Sequence, residues 1–189
     1  ELIENETPKV FASFDIINTL NKGFIKNKGF LSINRGEIMQ LQNNGLIYSQ
    51  TLIVKLLKQE GQMKVSDLII NEKGINEGVI EMKKLSGYGS FQQSGLINEE
   101  EQLNISISSF RQKKISSESP IISAKNVTFS SVYLKNGKEC IINAESIIID
   151  YTSTPFINKG IIKSDHLKIY RELINNRLIS AHFFNVTSN

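Results

Sequence analysis

The sequence predicts an all-β chain wound as a parallel β-helix, a solenoid of about nine coils, and three recurrences carry that expectation. An apolar residue returns at intervals of 16 to 25 residues and is followed five residues on by a second and about seven on by a third. A glycine stands two residues before the first apolar position in most units. A side-chain amide stands four before it, so the unit reads N-x-G-x-I-x(4)-L-x-I. Self-similarity at this spacing is the mark of a solenoid built by stacking one short unit. Offsets of five and seven, filled by Ile, Leu, Val and Phe among Ser, Thr and Lys, are strand spacing with a bend, unlike the 3, 4, 7 rhythm of an amphipathic helix. Helical repeats also need about 33 residues or more per unit, whereas a coil of about 20 holds two or three short strands. Nine coils pairing at about 4.8 Å make a rod of roughly 40 to 45 Å.

Taken in order, residues 1–20 are a cap or a degenerate first coil, because Val10, Ala12, Phe14 and Ile16 alternate as one buried face and Ile3 lies 22 residues before Ile25. Residues 21–189 carry the repeats. Their first members are Ile25, Ile47, Met63, Ile80, Ile97, Ile122, Ile142, Ile162 and Ile179. The partners five on are Phe30, Leu52, Leu68, Leu85, Val127, Ile147, Leu167 and Phe184, and the fifth unit slips by one to Leu103. Val54, Ile70, Phe129, Ile149, Ile169 and Val186 are third members, Ile105 shares the slip, and Ser32 and Gly87 are exceptions. Gly23, Gly45, Gly61, Gly78, Gly95 and Gly160 suit either a bend at positive φ or a close approach to the neighbouring coil. Asn21, Asn43, Gln59, Asn76, Gln93, Asn158 and Asn175 suit either a ladder of stacked amides or simple turns.

Between Ile97 and Ile122 the spacing opens to 25, and the excess falls in an inserted loop at 108–119 that contains Arg111, Lys113 and Lys114. Insertions in solenoids become loops on one face and often bind, so these three residues are the candidate contact surface; the alternative is a solvated loop.

The remaining chemistry is sparse. Net charge is +3 with the cations scattered among 19 acids, so no basic stripe is visible and no nucleic-acid partner is expected. The 29 Ile and 19 Asn against 4 Ala point to an AT-rich genome. One cysteine, Cys140, excludes an internal disulfide framework and stands where other units have Gly, as a small interior residue or a reactive thiol. No run approaches 18 apolar residues, so no transmembrane segment is expected. The acidic start does not resemble a signal peptide. Because the repeat runs to Val186, where an uncapped solenoid exposes a strand edge, the chain is expected to be a fragment of a larger protein.

β-Helical enzymes on acidic polysaccharides cluster carboxylates on one face. Here Asp15, Asp67, Asp150 and Asp165 share no offset in neighbouring coils, so no catalytic residue, no cofactor and no enzyme activity is expected. Glu99, Glu100 and Glu101 form a solvated turn or a cation site. His166 and His182, one coil apart, offer a metal pair with Asp165 as the third ligand or a chance meeting of outer residues. The sequons at Asn5, Asn104, Asn126 and Asn185 matter only in a glycosylating pathway.

The units Asn43 to Val54 (NNGLIYSQTLIV), Asn158 to Ile169 (NKGIIKSDHLKI) and Asn76 to Leu85 (NEGVIEMKKL) resemble the repeats of filamentous haemagglutinin-like bacterial exoproteins. That family holds two-partner-secreted adhesins and the stalks of contact-dependent inhibition toxins, and the resemblance spans Asn21 to Val186. It implies a right-handed β-helix exported to the cell surface through an outer-membrane partner transporter. The family's amino-terminal secretion domain and toxin domains have no counterpart in these residues. The expected role is a structural segment that extends and presents a binding or toxin region. The alternatives are an adhesin module that contacts a cell-surface receptor or glycan, and a carbohydrate-active β-helix.

Overall fold

The computed structural model describes residues 2–5, 12–14, 20–150, 152 and 154–187, with side chains from Phe24 onward. They form a β-solenoid of about nine turns without a helix. The strands of the first part are β1 (Leu2–Asn5), β2 (Ala12–Phe14), β3 (Leu20–Asn27), β4 (Phe30–Asn43), β5 (Leu46–Gln59), β6 (Gln62–Asn76) and β7 (Val79–Gln93). From the fifth repeat on they shorten: β8 (Leu96–Asn98), β9 (Gln102–Gln112), β10 (Ile121–Phe129), β11 (Tyr133–Asn136), β12 (Ile141–Ile149), β13 (Phe156–Asn158), β14 (Ile161–Ile169), β15 (Leu173–Asn175) and β16 (Ile179–Val186). All belong to one 16-stranded sheet, and neighbouring strands run parallel, each coil lying on the one before. Val10, Asp15 and Ile16 lie outside the described residues.

The first apolar column stacks as its spacing predicts from Ile47 onward, through Met63, Ile80, Ile97, Ile122, Ile142, Ile162 and Ile179. The first unit is a correction. Ile47 lies against Leu31, and Ile25 lies against Leu41, in a different column of the coil. Asn27, rather than Asn21, therefore stands in line with Asn43. The true step there is 16 residues, and Ser32 looked exceptional only because it belongs to another column. Ile3 does pair with Ile25, so β1 is a strand of an earlier turn.

A second correction falls in the fifth coil. Leu85 lies against Ile105 and Gly87 against Ile107, whereas on the next side Leu103 lies against Val127 and Ile105 against Phe129. The column of Leu52, Leu68 and Leu85 thus runs on into Ile105, Phe129, Ile149 and Ile169. Gly87 absorbs the adjustment at φ 126°, where an L side chain is strained and a Cβ would meet the Ile70 carbonyl. The recurrent glycines act differently: a Cβ at Gly61 would strike the Gly45 carbonyl oxygen, and one at Gly78 the Gly61 oxygen, so close approach of coils is their reason.

The amides form a buried ladder, and the register adds Gln112 and Asn136, which offset counting missed because extra residues follow them. Nδ2 of Asn27, Asn43, Asn76, Asn136 and Asn158 donates to the oxygen of the next rung at 2.7 to 2.9 Å. Nε2 of Gln59, Gln93 and Gln112 instead donates to the backbone oxygens of Val79, Ile121 and Ile141. The extra methylene of Gln carries its amide past the next rung. Two rungs that follow a Gln, Gln112 and Asn136, accordingly keep a buried side-chain oxygen without a partner.

Two stability measurements follow. Gln112→Asn brings an amide to the Asn136 oxygen and is expected to stabilise by about 1 kcal/mol, while Asn158→Ala, which removes contacts to Asn136, Asn175 and the Gly160 N–H, is expected to cost about 2 to 4 kcal/mol in denaturant unfolding. Deleting residues 48–63 lets Ile47 take the place of Met63 and is expected to leave a cooperatively folded shorter solenoid. Deleting 48–59 breaks the register and is expected to abolish cooperative melting in calorimetry.

Candidate functional site

The three residues singled out in the insertion fall on one corner of the solenoid. Strand β9 runs through Gln112, so Ser109 to Gln112 are paired with the neighbouring coil and only 113–120 leave the strand. Arg111, next to the end of that strand, has its guanidinium carbon 5.5 Å from the centre of the Tyr133 ring, one coil further on. Such stacking orients the fork of donors without using them up. Lys113 is anchored by its backbone N–H to the Gln93 oxygen at 2.9 Å, with its side chain exposed. Lys114 reaches Glu139 at 2.6 Å, and that ammonium holds the Glu139 carboxyl below its ordinary range.

The coils that follow turn at the same corner and bring further cations to it. Lys138 lies beside Glu139, Lys159 is tied by its N–H to the Asn136 oxygen at 2.8 Å, and Arg177 follows Asn175 in the next turn. Lys138 and Arg177 add to Lys114 in lowering the Glu139 pKa. Lys135 pairs in register with Arg111. Cations scattered along the chain are thus gathered at one corner around Glu139. Residues about 20 apart in the chain are neighbours at the spacing of one coil, a convergence that reading along the chain cannot show.

The other candidates are dispersed. His166 stands against Phe183 in register and stacks on its ring at 4.9 Å between centres, while Nδ1 of His182 lies 2.9 Å from Asp165 Oδ1. The two histidines thus take different partners, and among the described residues no three metal-ligating side chains converge. Glu101 faces Lys125 at 3.8 Å. Glu99 and Glu100 sit between two open clefts at the bend, of about 890 and 640 Å³, lined mainly by Ser, Asn, Lys and Glu side chains. Of the sequons, Asn104 and Asn185 are exposed strand residues, Asn126 is half-buried, and the side chain of Asn5 is outside the described residues.

Two interior groups have no counterpart in the offset pattern or fill it unexpectedly. Arg171 is 1% exposed and donates Nε to the Asp150 oxygen at 2.8 Å, Nη2 to that of Ser131 at 2.9 Å and Nη1 to that of Val132 at 3.4 Å. Burial pushes its pKa down, with Asp150 opposing the shift. Ser131 and Arg171 are both buried, two residues beyond the apolar positions Phe129 and Ile169, so polar residues meet interior positions there. Cys140 is fully buried at the Gly160 position, and burial raises its thiol from 9.0 to about 11.

Comparison of the chain with protein-family models, with curated proteins and with solved structures finds no match.

The Cys140 thiol provides a probe of the interior. Alkylation by iodoacetamide at pH 8 is expected to be far slower in the folded chain than in urea, since a buried thiol holding its proton is a poor nucleophile. The raised folded value also means that this group's stabilising contribution is complete below pH 9.0 and is lost as pH rises toward about 11, because the unfolded thiol ionises first. Cys140→Ala is expected to flatten that part of the stability profile.

Proposed function

We propose that the chain is a structural β-solenoid segment of a large secreted or surface-displayed bacterial exoprotein, which extends and presents a binding or toxin region. The observation that supports this best is the hand-on of register from coil to coil: the column from Ile47 to Ile179 and the amides from Asn27 to Asn175 repeat one interior while the outward residues vary. An architecture of this kind gains length by repetition, with each coil contacting only its neighbours. The likeness of its units to filamentous haemagglutinin-like repeats adds an export route, an outer-membrane partner transporter. A chain that leaves a pore in sequence can fold coil by coil, since each new strand pairs with one already laid down.

A second reading, an adhesin module in its own right, is favoured by one observation: the corner brings the exposed Arg111, stacked on Tyr133, and the exposed Lys113 together beside Lys114.

The test is surface display. The chain, placed between a two-partner secretion domain and a carboxy-terminal epitope, is expected to carry the epitope to antibody on intact cells when the partner transporter is present. The variant lacking residues 48–63 is expected to do the same. Retention of the epitope inside cells, although the purified chain folds, overturns the export reading.

A further inference from the structure

We propose that the corner formed by Arg111, Lys113 and the turns that follow is a docking surface for a linear acidic polysaccharide. The proposal deepens the reading of the chain as a rod working outside the cell, and names the ligand chemistry of its surface.

Successive coils lie about 4.8 Å apart, so a cation at the same corner of consecutive turns repeats with that period along the rod. Lys113 and Lys159 stand directly after the amide rungs of their turns and Lys138 and Arg177 one residue later, so this corner carries a cation in four consecutive turns, and all four are exposed. Among the described residues none of the four has a carboxylate within ion-pair distance. The acid in their midst, Glu139, is already engaged by Lys114. Arg111 and Lys135, paired in adjacent strands, widen the row on one side. Earlier turns carry the opposite character at this corner, with Asn44, Glu60 and Glu77, and Glu60 is held by Lys58 and Asn44. Lys28 stands at this corner in the first coil with described side chains, and the next cations directly after an amide rung come with the later coils, where the positive field is concentrated.

The turns after Asn136, Asn158 and Asn175 are held to one another by hydrogen bonds between those amides. Holding charges on a rigid frame removes much of the ordering cost of binding a flexible chain. A single-stranded nucleic acid fits less well. Its bases require aromatic faces repeated along the groove, and the aromatic at this corner, Tyr133, is covered by Arg111. A glycan bearing sulfate or carboxylate needs the cations alone, with forked donors such as Arg111 and Arg177 to take paired oxygens.

The test uses fluorescein-labelled dextran sulfate, neutral dextran of equal length and a labelled oligothymidine, each titrated with the full chain and followed by anisotropy. Dextran sulfate is expected to bind, with affinity that falls steeply as salt rises, and neutral dextran is not. The quadruple variant Lys113→Ser, Lys138→Ser, Lys159→Ser, Arg177→Ser alters exposed positions and is expected to keep the wild-type melting curve while losing at least about tenfold in affinity. A control that removes equal charge elsewhere, Lys26→Ser, Lys73→Ser, Lys83→Ser, Lys84→Ser, is expected to bind nearly as wild type. No binding of dextran sulfate, equal losses in the two variants, or tighter binding of oligothymidine each overturns the proposal. Binding in solution is independent of export, so these failures are distinct from a failure of surface display.

Discussion

Every coil must offer its buried groups in line with those of the coil before it, and most features of this chain follow from that one constraint. Parallel pairing satisfies the backbone of each strand only through its neighbours above and below. A shift of one residue would turn an apolar column outward. The amide ladder sharpens the constraint, because an Asn at one rung finds both an oxygen on the next rung and a backbone carbonyl beyond it, as Asn43 does with Gln59 and Gln62. Buried amides out of line would be left with unmet hydrogen bonds, which makes register costly to lose.

The places where the pattern bends obey the same rule. At the fifth coil the columns move sideways and Gly87 takes a conformation open to glycine, while in a later coil an interior position is filled by Arg171. A buried guanidinium is tolerable there because three main-chain oxygens receive its donors. The phenyl rings make a related adjustment: Phe91 occupies the space that a side chain at Gly74 would fill, and it continues into Phe110 at 6.0 Å and Phe129 beyond. Irregularity in the sequence is thus matched by compensation in a neighbouring coil.

Outside the core the constraint relaxes. Turn residues need only leave the coil and return to it, so an excursion such as 113–120 is accommodated, and its return is secured by the Ile121 N–H on the Gly95 oxygen at 3.0 Å. Stacking still fixes where the outer side chains lie, which converts a scattered set of lysines and arginines into a row. The surface proposed to bind a polyanion is in this sense a by-product of the interior.

The sequence by itself determined the parallel solenoid, the column from Ile47 to Ile179 and the identity of most amide rungs, because burial of alternate residues in a repeated coil imposes a period that a single chain displays. It showed the crowding at Gly61 and Gly78 as a recurring glycine, although the choice between bend and close approach needed the neighbouring carbonyl in view. Only the tertiary structure decided that Leu31 leads the first unit, that Leu85 runs on to Ile105, and that Gln112 and Asn136 complete the ladder. It also decided the interior place of Arg171 and the meeting of Lys113, Lys138, Lys159 and Arg177 at one corner. The physical reason is common to these: offsets count residues within a coil, whereas register and proximity are set between coils, where bulges and insertions change the count without changing the stack.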